Sequence, residues 1–314
     1  MERSLSRRGW MAAGAGMVGV AAAGGPARVM AAERPPGEPF GYCLNTSTIQ
    51  GQAVPLMEEI AIAAEAGYDG IEPWIREIDK HVQSGGSLAD VGKKARDLGL
   101  SIEDAIGFFD WAGDDDARRA KGLEEARRNM EMARAIGCTR IAAPPFGVTD
   151  RTDLDLRRVA ERYRALAKLG AEFGVTPLVE VWGFSKPLGQ LGDAAMVAVG
   201  SGVPGAAILP DVYHLRKGGT EVGGLGLLRG SAIGIFHMND YPDTPIGTLT
   251  DGDRVYPGDG IAPLGRILRT LREVGYQGML SLELFNKTYW KRDAREVART
   301  GLARMRAAVN SAFA

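Results

Sequence analysis

Eight short apolar runs, each followed by a longer stretch with helical periodicity, leave this chain few folds to choose from. The strand-like runs read FGYCLNT from Phe40, GIEPW from Gly70, SIEDAIG from Ser101, RIAAPPF from Arg140, PLVEVWG from Pro177, AAILPDVYH from Ala206, GIFHMND from Gly234 and MLSLELF from Met279. Between them lie segments such as VPLMEEIAIAAEAG and DLRRVAERYRALAKLGAEFG, whose apolar residues recur at helical spacing. Several of these segments end in glycine, at Gly67, Gly99, Gly137, Gly174 and Gly275, just ahead of the next strand. A helix that turns into a strand commonly closes on such a residue. Strands joined by helices run parallel, and eight of them close a cylinder, so the pattern predicts a single-domain α/β protein, a (β/α)8 or TIM barrel. An open doubly wound sheet is the alternative, but NTSTIQGQ follows the first strand where a dinucleotide-binding fold carries GxGxxG.

The pattern starts late. The segment ERSLSRR, with Arg7 and Arg8 adjacent, precedes the Gly/Ala-rich run GWMAAGAGMVGVAAAGG and small residues near Ala31 and Ala32 that suit cleavage. This resembles a twin-arginine export signal. The expected organisation is a signal over residues 1–32 and a barrel over 33–314, with a mature protein that is periplasmic or secreted and makes no stable membrane insertion. The apolar run is short and glycine-rich for a span. A formal net charge of -1 offers no basic field for nucleic-acid phosphates, which points to a small-molecule partner. Cys43 and Cys138 are the two cysteines; neither sits in a CxxC or Cys/His cluster, and buried free thiols are expected. A homo-oligomer is compatible with the sequence.

In such a barrel the chemistry collects where the strands end. Glu72 closes the second run, Glu180 the fifth, Asp211 the sixth, His237 the seventh and Glu283 the eighth. An unpaired carboxylate such as Glu283 at the end of an apolar strand would cost on the order of several kcal/mol, so something must compensate its charge. Glu180, Asp211, His237 and Glu283 together offer three carboxylates and an imidazole, a set that suits a divalent ion such as Mn²⁺, Zn²⁺, Co²⁺ or Mg²⁺. Taken singly, each could instead be a paired barrel-lining carboxylate or a satisfied core histidine.

The order of these motifs, LVEVW, PDVYH, FHMND and LSLELFN, resembles the xylose-isomerase-like barrel superfamily of sugar isomerases and epimerases. The spacings, 31 residues from Glu180 to Asp211, 26 to His237 and 46 to Glu283, together with RVYPGDG, are most similar to its inosose isomerase branch. The resemblance implies that Glu180, Asp211, His237 and Glu283 hold the metal and that Glu180 and Glu283 are also a catalytic acid/base pair. It implies that His214 and Arg254 contact substrate oxygens. Glu72, Trp74 and Trp182 are further substrate-binding candidates; an aromatic at a barrel mouth can stack on a sugar face or simply pack. The implied reaction is proton abstraction next to a carbonyl through an enediolate, giving isomerisation or epimerisation of a sugar or keto-polyol. With a leaving group in the β position the same intermediate gives a lyase or dehydratase. A non-catalytic sugar-binding barrel or a metal-dependent phosphodiesterase fits less well, and three histidines are too few for the trinuclear site of the superfamily's DNA-repair members.

Overall fold

The computed structural model describes residues 38–314, so the expected export signal lies outside the described residues. The strands are β1 (Gly41–Asn45), β2 (Gly70–Glu72), β3 (Ser101–Ile102), β4 (Arg140–Ala143), β5 (Thr176–Glu180), β6 (Ala207–Leu209), β7 (Phe236–Met238) and β8 (Met279–Leu282). All the pairings between them are parallel, in the orders β3-β2-β1-β8-β7 and β4-β5-β6. Two seams join these sheets into a cylinder. Ala142 N–H donates to the Ala105 carbonyl at 3.0 Å between β3 and β4, and His237 N–H donates to the Pro210 carbonyl at 3.0 Å between β6 and β7. The second seam runs through the expected site, because Asp211 and His237 themselves form its bridge.

The helices around the cylinder are α1 (Leu56–Ala66), α2 (Ile75–Gln83), α3 (Leu88–Asp97), α4 (Asp116–Ala135), α5 (Leu156–Phe173), α6 (Leu191–Ser201), α7 (Val212–Lys217), α8 (Leu264–Glu273) and α9 (Ala294–Phe313). Helices α1 and α5 close on left-handed Gly67 and Gly174, as the glycine pattern predicts. Among the described residues no helix is long and apolar enough to cross a membrane.

The twofold alternation of a strand sorts its side chains between two layers. Leu280, Leu282 and Leu284 join the large apolar layer that includes the helix residues Leu302 and Met305, whereas Met279 belongs to a smaller cluster with Cys43, Leu178 and Leu209. Each leucine so buried contributes about 1.5–3 kcal/mol. Helix α9 lies tightly on this layer: a Cβ on Gly301 would stand 2.2 Å from Leu282. The same alternation gives Ser281 and Glu283 to the Met279 face, inside the cylinder. Both cysteines are free and buried, as expected.

One run ends sooner than its apolar pattern suggests. AAILPDVYH leaves the strand after Leu209, because the Asp211 carboxylate accepts the His214 N–H at 2.7 Å and caps α7. His214 therefore sits on the first turn of a helix rather than on a strand.

Candidate metal and acid/base site

His237, wholly buried on β7, is the hub of the site. Its Nε2 lies 2.9 Å from Glu72 Oε1, and its Nδ1 lies 3.1 Å from Glu283 Oε2 and 3.9 Å from Asp211 Oδ2. Glu72 Oε2 accepts from Asn45 Nδ2 at 2.8 Å and from Ser281 Oγ at 2.6 Å. Glu72 was expected to bind substrate. In the structure it is fully buried with both oxygens engaged, so it orients His237 instead. A carboxylate behind a ligating imidazole fixes which ring nitrogen faces the ion.

Arg254 forms the opposite wall. Its Nη1 donates to Asp211 Oδ2 at 3.0 Å and Glu283 Oε2 at 2.7 Å, and its Nη2 reaches Asp251 Oδ1 at 2.6 Å and His214 Nε2 at 3.0 Å. The guanidinium packs against the rings of Tyr213, at 4.4 Å, and Phe285, at 5.0 Å. The loop that carries it is pinned by Asp240, whose carboxylate accepts four backbone N–H groups, from Tyr241, Gly258, Gly260 and Ala262. His214 Nδ1 faces the Gly183 N–H at 3.2 Å. Asn239 holds Asp211 Oδ2 at 2.8 Å while accepting the Tyr213 N–H.

These surroundings set the charges. Burial pushes the Glu283 carboxyl up, but the charges of His237 and Arg254 outweigh it and hold it at about 2. Burial lowers His237, yet the Glu283 and Glu72 charges raise it well above the usual imidazole value. Burial, with the Arg254 charge, keeps His214 well below that value. For Glu180 the balance is reversed: burial and then the Glu283 charge push it up to about 8 against the weaker pull of the His237 charge. Its Oε2 is buried without a hydrogen-bond partner, as is Arg254 Nε.

Asp211, His237 and Glu283 bring ligand atoms within 4.8 Å of one another, so three of the four expected ligands form a cluster that can hold a metal ion. Glu180 is not part of that cluster. An imidazole with two carboxylates is a donor set for a borderline or hard divalent ion, and the unpaired Glu180 oxygen leaves a further buried acceptor at the same end of the barrel. Of the tryptophans, Trp74 is buried, donates Nε1–H to Asn45 at 2.9 Å and has the Arg76 guanidinium over its ring at 3.8 Å, so it is committed to packing. Trp182 stays half-buried beside Phe108 and Phe184.

Sequence reasoning missed Asn45, Asn239, Ser281 and Asp240. Asn45 ends β1, and its amide nitrogen donates to Glu72 at 2.8 Å and Glu283 at 3.3 Å, while its oxygen accepts from Trp74 and Ser47. Its place at a strand end was the available signal. Asn239 shares the His237 face by the period of two.

A parallel (β/α)8 barrel with a buried carboxylate and imidazole cluster at its strand ends is a scaffold that could hold a metal ion. Residues 60–308 match the family model described as xylose isomerase-like TIM barrel, and the chain belongs to that family. It is 29% identical over 279 residues to an inosose isomerase of Bacillus velezensis, covering 86% of this chain and 98% of that one. It is 28% identical over 260 residues to a 3-dehydroshikimate dehydratase of Pseudomonas aeruginosa, covering 79% of this chain and 39% of that one. Among solved structures, the IolI protein with a bound zinc atom superposes with a TM-score of 0.80 at 22% identity, covering 87% of this chain and 99% of that one. The chain is thus an enzyme of the xylose isomerase-like superfamily.

Proposed function

We propose that this enzyme is a divalent-metal-dependent isomerase or epimerase of sugars or keto-polyols, with inososes as the first substrate class to try. The observation that most supports it is the contrast between its two buried site glutamates. Glu283 is saturated by His237, Arg254 and Asn45, whereas Glu180 holds an unpaired buried oxygen and is raised to about 8. Environments that drive two carboxylates apart in this way mark an acid/base division of labour.

A divalent ion (Mn²⁺, Zn²⁺, Co²⁺ or Mg²⁺) held by Asp211, His237 and Glu283 would supply Lewis acidity toward the substrate's carbonyl and neighbouring hydroxyl oxygens. The protein does the rest. Ionised Glu180 takes the proton from the carbon beside the carbonyl; the C–H electron pair moves into the C–C bond and the carbonyl oxygen takes the charge, giving the enediolate. Arg254 and His214 bind substrate oxygens and stabilise that charge. Return of the proton by Glu180 to the adjacent carbon, with the neighbouring hydroxyl proton passing to the former carbonyl oxygen, moves the carbonyl; delivery of a proton from solvent to the opposite face of the same carbon, with Glu180 releasing its own to solvent, inverts the centre.

Elimination is the second reading, favoured by the likeness to 3-dehydroshikimate dehydratase. There the enediolate expels a β substituent. Incubating the metal-loaded enzyme in D₂O with inososes, ketohexoses and 3-keto-glycosides tests both readings. Deuterium entering next to the carbonyl supports them, and no exchange or turnover with any of the three classes would contradict them. The twin-arginine signal over 1–32 is likewise proposed: with Arg7 and Arg8 changed to Lys the precursor stays inside the cell, and unchanged export would refute it.

A further inference from the structure

Four aromatic side chains form an unbroken series along the loops that follow β3, β4 and β5. Phe146 stacks on Phe108 with ring centroids 5.5 Å apart and planes inclined by 24°. Phe108 meets Trp182 edge-on at 5.7 Å, and Trp182 leans on Phe184 at 5.2 Å. The series ends at the polar site, because Phe184 lies 5.7 Å from the ring of His214, whose Nε2 faces Arg254. Trp182 and Phe184 also stand two and four residues past Glu180. Phe146 is 38% exposed and Phe184 43%, and no other phenylalanine among the described residues is as open to water.

The loop that presents Trp182 and Phe184 is tightly built. Trp182 N–H donates to the Leu188 carbonyl at 3.1 Å, Ser185 N–H to the Trp182 carbonyl at 2.7 Å, and Lys186 N–H to the Thr149 carbonyl at 2.7 Å. Ser185 Oγ donates to the Pro187 carbonyl at 2.6 Å. Leu188, fully buried, closes the loop at a φ of 58°, a left-handed conformation that a leucine holds only where its surroundings impose it. At Gly183 a Cβ would stand 2.3 Å from the His214 carbonyl, so the loop rests directly on α7. The open rings are therefore fixed relative to His214 and Arg254.

A polyol hydroxyl turned toward Phe146 or Phe184 would lose its water and gain no hydrogen bond, because a phenyl ring offers neither donor nor acceptor. A flat apolar group placed there would bury its own surface and pack against rings already spaced for aromatic contact. The carbonyl end of the substrate belongs at the polar site, so the group that meets the aromatic series is a substituent attached to the sugar. We propose that Phe108, Phe146, Trp182 and Phe184 form a second subsite, and that the substrate is a keto sugar carrying a flat apolar substituent, an aryl glycoside. The subsite rests on the proposed carbonyl chemistry for its purpose, while its occupancy can be read without turnover.

The test uses phenyl and methyl β-glucosides, which lack the carbonyl that the chemistry needs, titrated into full-length protein and followed by calorimetry. The phenyl glycoside should bind the wild type more tightly, and Phe184→Leu and Phe146→Leu, which keep apolar bulk but remove a ring, should each weaken it by about 2–10-fold while leaving the methyl glycoside unchanged. Equal affinity of the wild type for the two glycosides, or no measurable binding of the phenyl one, would overturn the subsite whether or not the variants fold. Equal losses for both glycosides in Phe184→Leu would overturn it too, since the ring would then serve the sugar or the fold. Deuterium exchange into an inosose without any phenyl preference would overturn the subsite and leave the carbonyl chemistry standing. A phenyl preference with no exchange into either an inosose or phenyl 3-keto-glucoside would uphold the subsite and refute that chemistry.

Discussion

The two glutamates that end β5 and begin the loop after β8 are both 4% exposed, yet they inhabit opposite electrostatic worlds. Around Glu283 stand His237 and Arg254, so the charge is held even in a dry site. Around Glu180 no cation stands within ion-pair distance among the described residues, and one oxygen is orphaned. Burial alone therefore does not determine a carboxylate's role. Its partners do, and on the proposed reading they make one glutamate an anchor and the other a proton carrier.

The largest effect expected from this contrast is on turnover. Glu180→Gln keeps the shape, removes the base, and should lower kcat by roughly 10²–10⁴-fold while the bound metal is retained, as read by steady-state kinetics beside elemental analysis. Full activity in that variant would erase the distinction between the two sites. The next effect is on stability. Arg254→Met strips the guanidinium from Asp211 and Glu283 and should destabilise the metal-free protein by about 3–5 kcal/mol in denaturant unfolding, with a divalent ion restoring part of the loss. A smaller effect follows from the supports: Asn45→Ala and Asn239→Ala should each weaken metal binding by about 10–100-fold in calorimetric titration.

Much of the barrel is legible in the sequence because alternation is a property of the strand itself: Leu280, Leu282 and Leu284 announce one face, and Glu283 must then belong to the other. The strand-end rule likewise finds Asp211, His237 and Glu283, the three residues that cluster. Asn45 escapes it because a short neutral amide reads as loop chemistry, and its partner Glu283 lies 238 residues away. The role of Glu72 is equally hidden, since only the fold shows that Ser281 and Asn45 have filled its second oxygen. The closure of β6 to β7 through Asp211 and His237 is a tertiary fact with no local signature.

The smallest expected effect sharpens the comparison through pH. Glu283 is depressed from 4.5 to about 2, so in metal-free protein it contributes stability that is present above 4.5 and lost as pH falls toward 2. Glu180 is raised from 4.5 to about 8, so the folded state holds a proton that the unfolded chain has released, and stability falls as pH rises from 4.5 to 8. Each such slope is at most about 1.4 kcal/mol per pH unit. Glu180→Gln should flatten the neutral limb, and Glu283→Gln the acid limb, in urea unfolding followed across pH; the reverse pairing would contradict the assignment.

The most direct test of the division of labour is deuterium wash-in from D₂O into an inosose, measured by NMR with metal-saturated wild type and Glu180→Gln. The account predicts exchange at the carbon beside the carbonyl in the wild type and its loss in the variant, with the same metal content in both. Exchange at the wild-type rate in metal-saturated Glu180→Gln would show that another group moves the proton, and the contrast between the two glutamates would then carry no catalytic meaning.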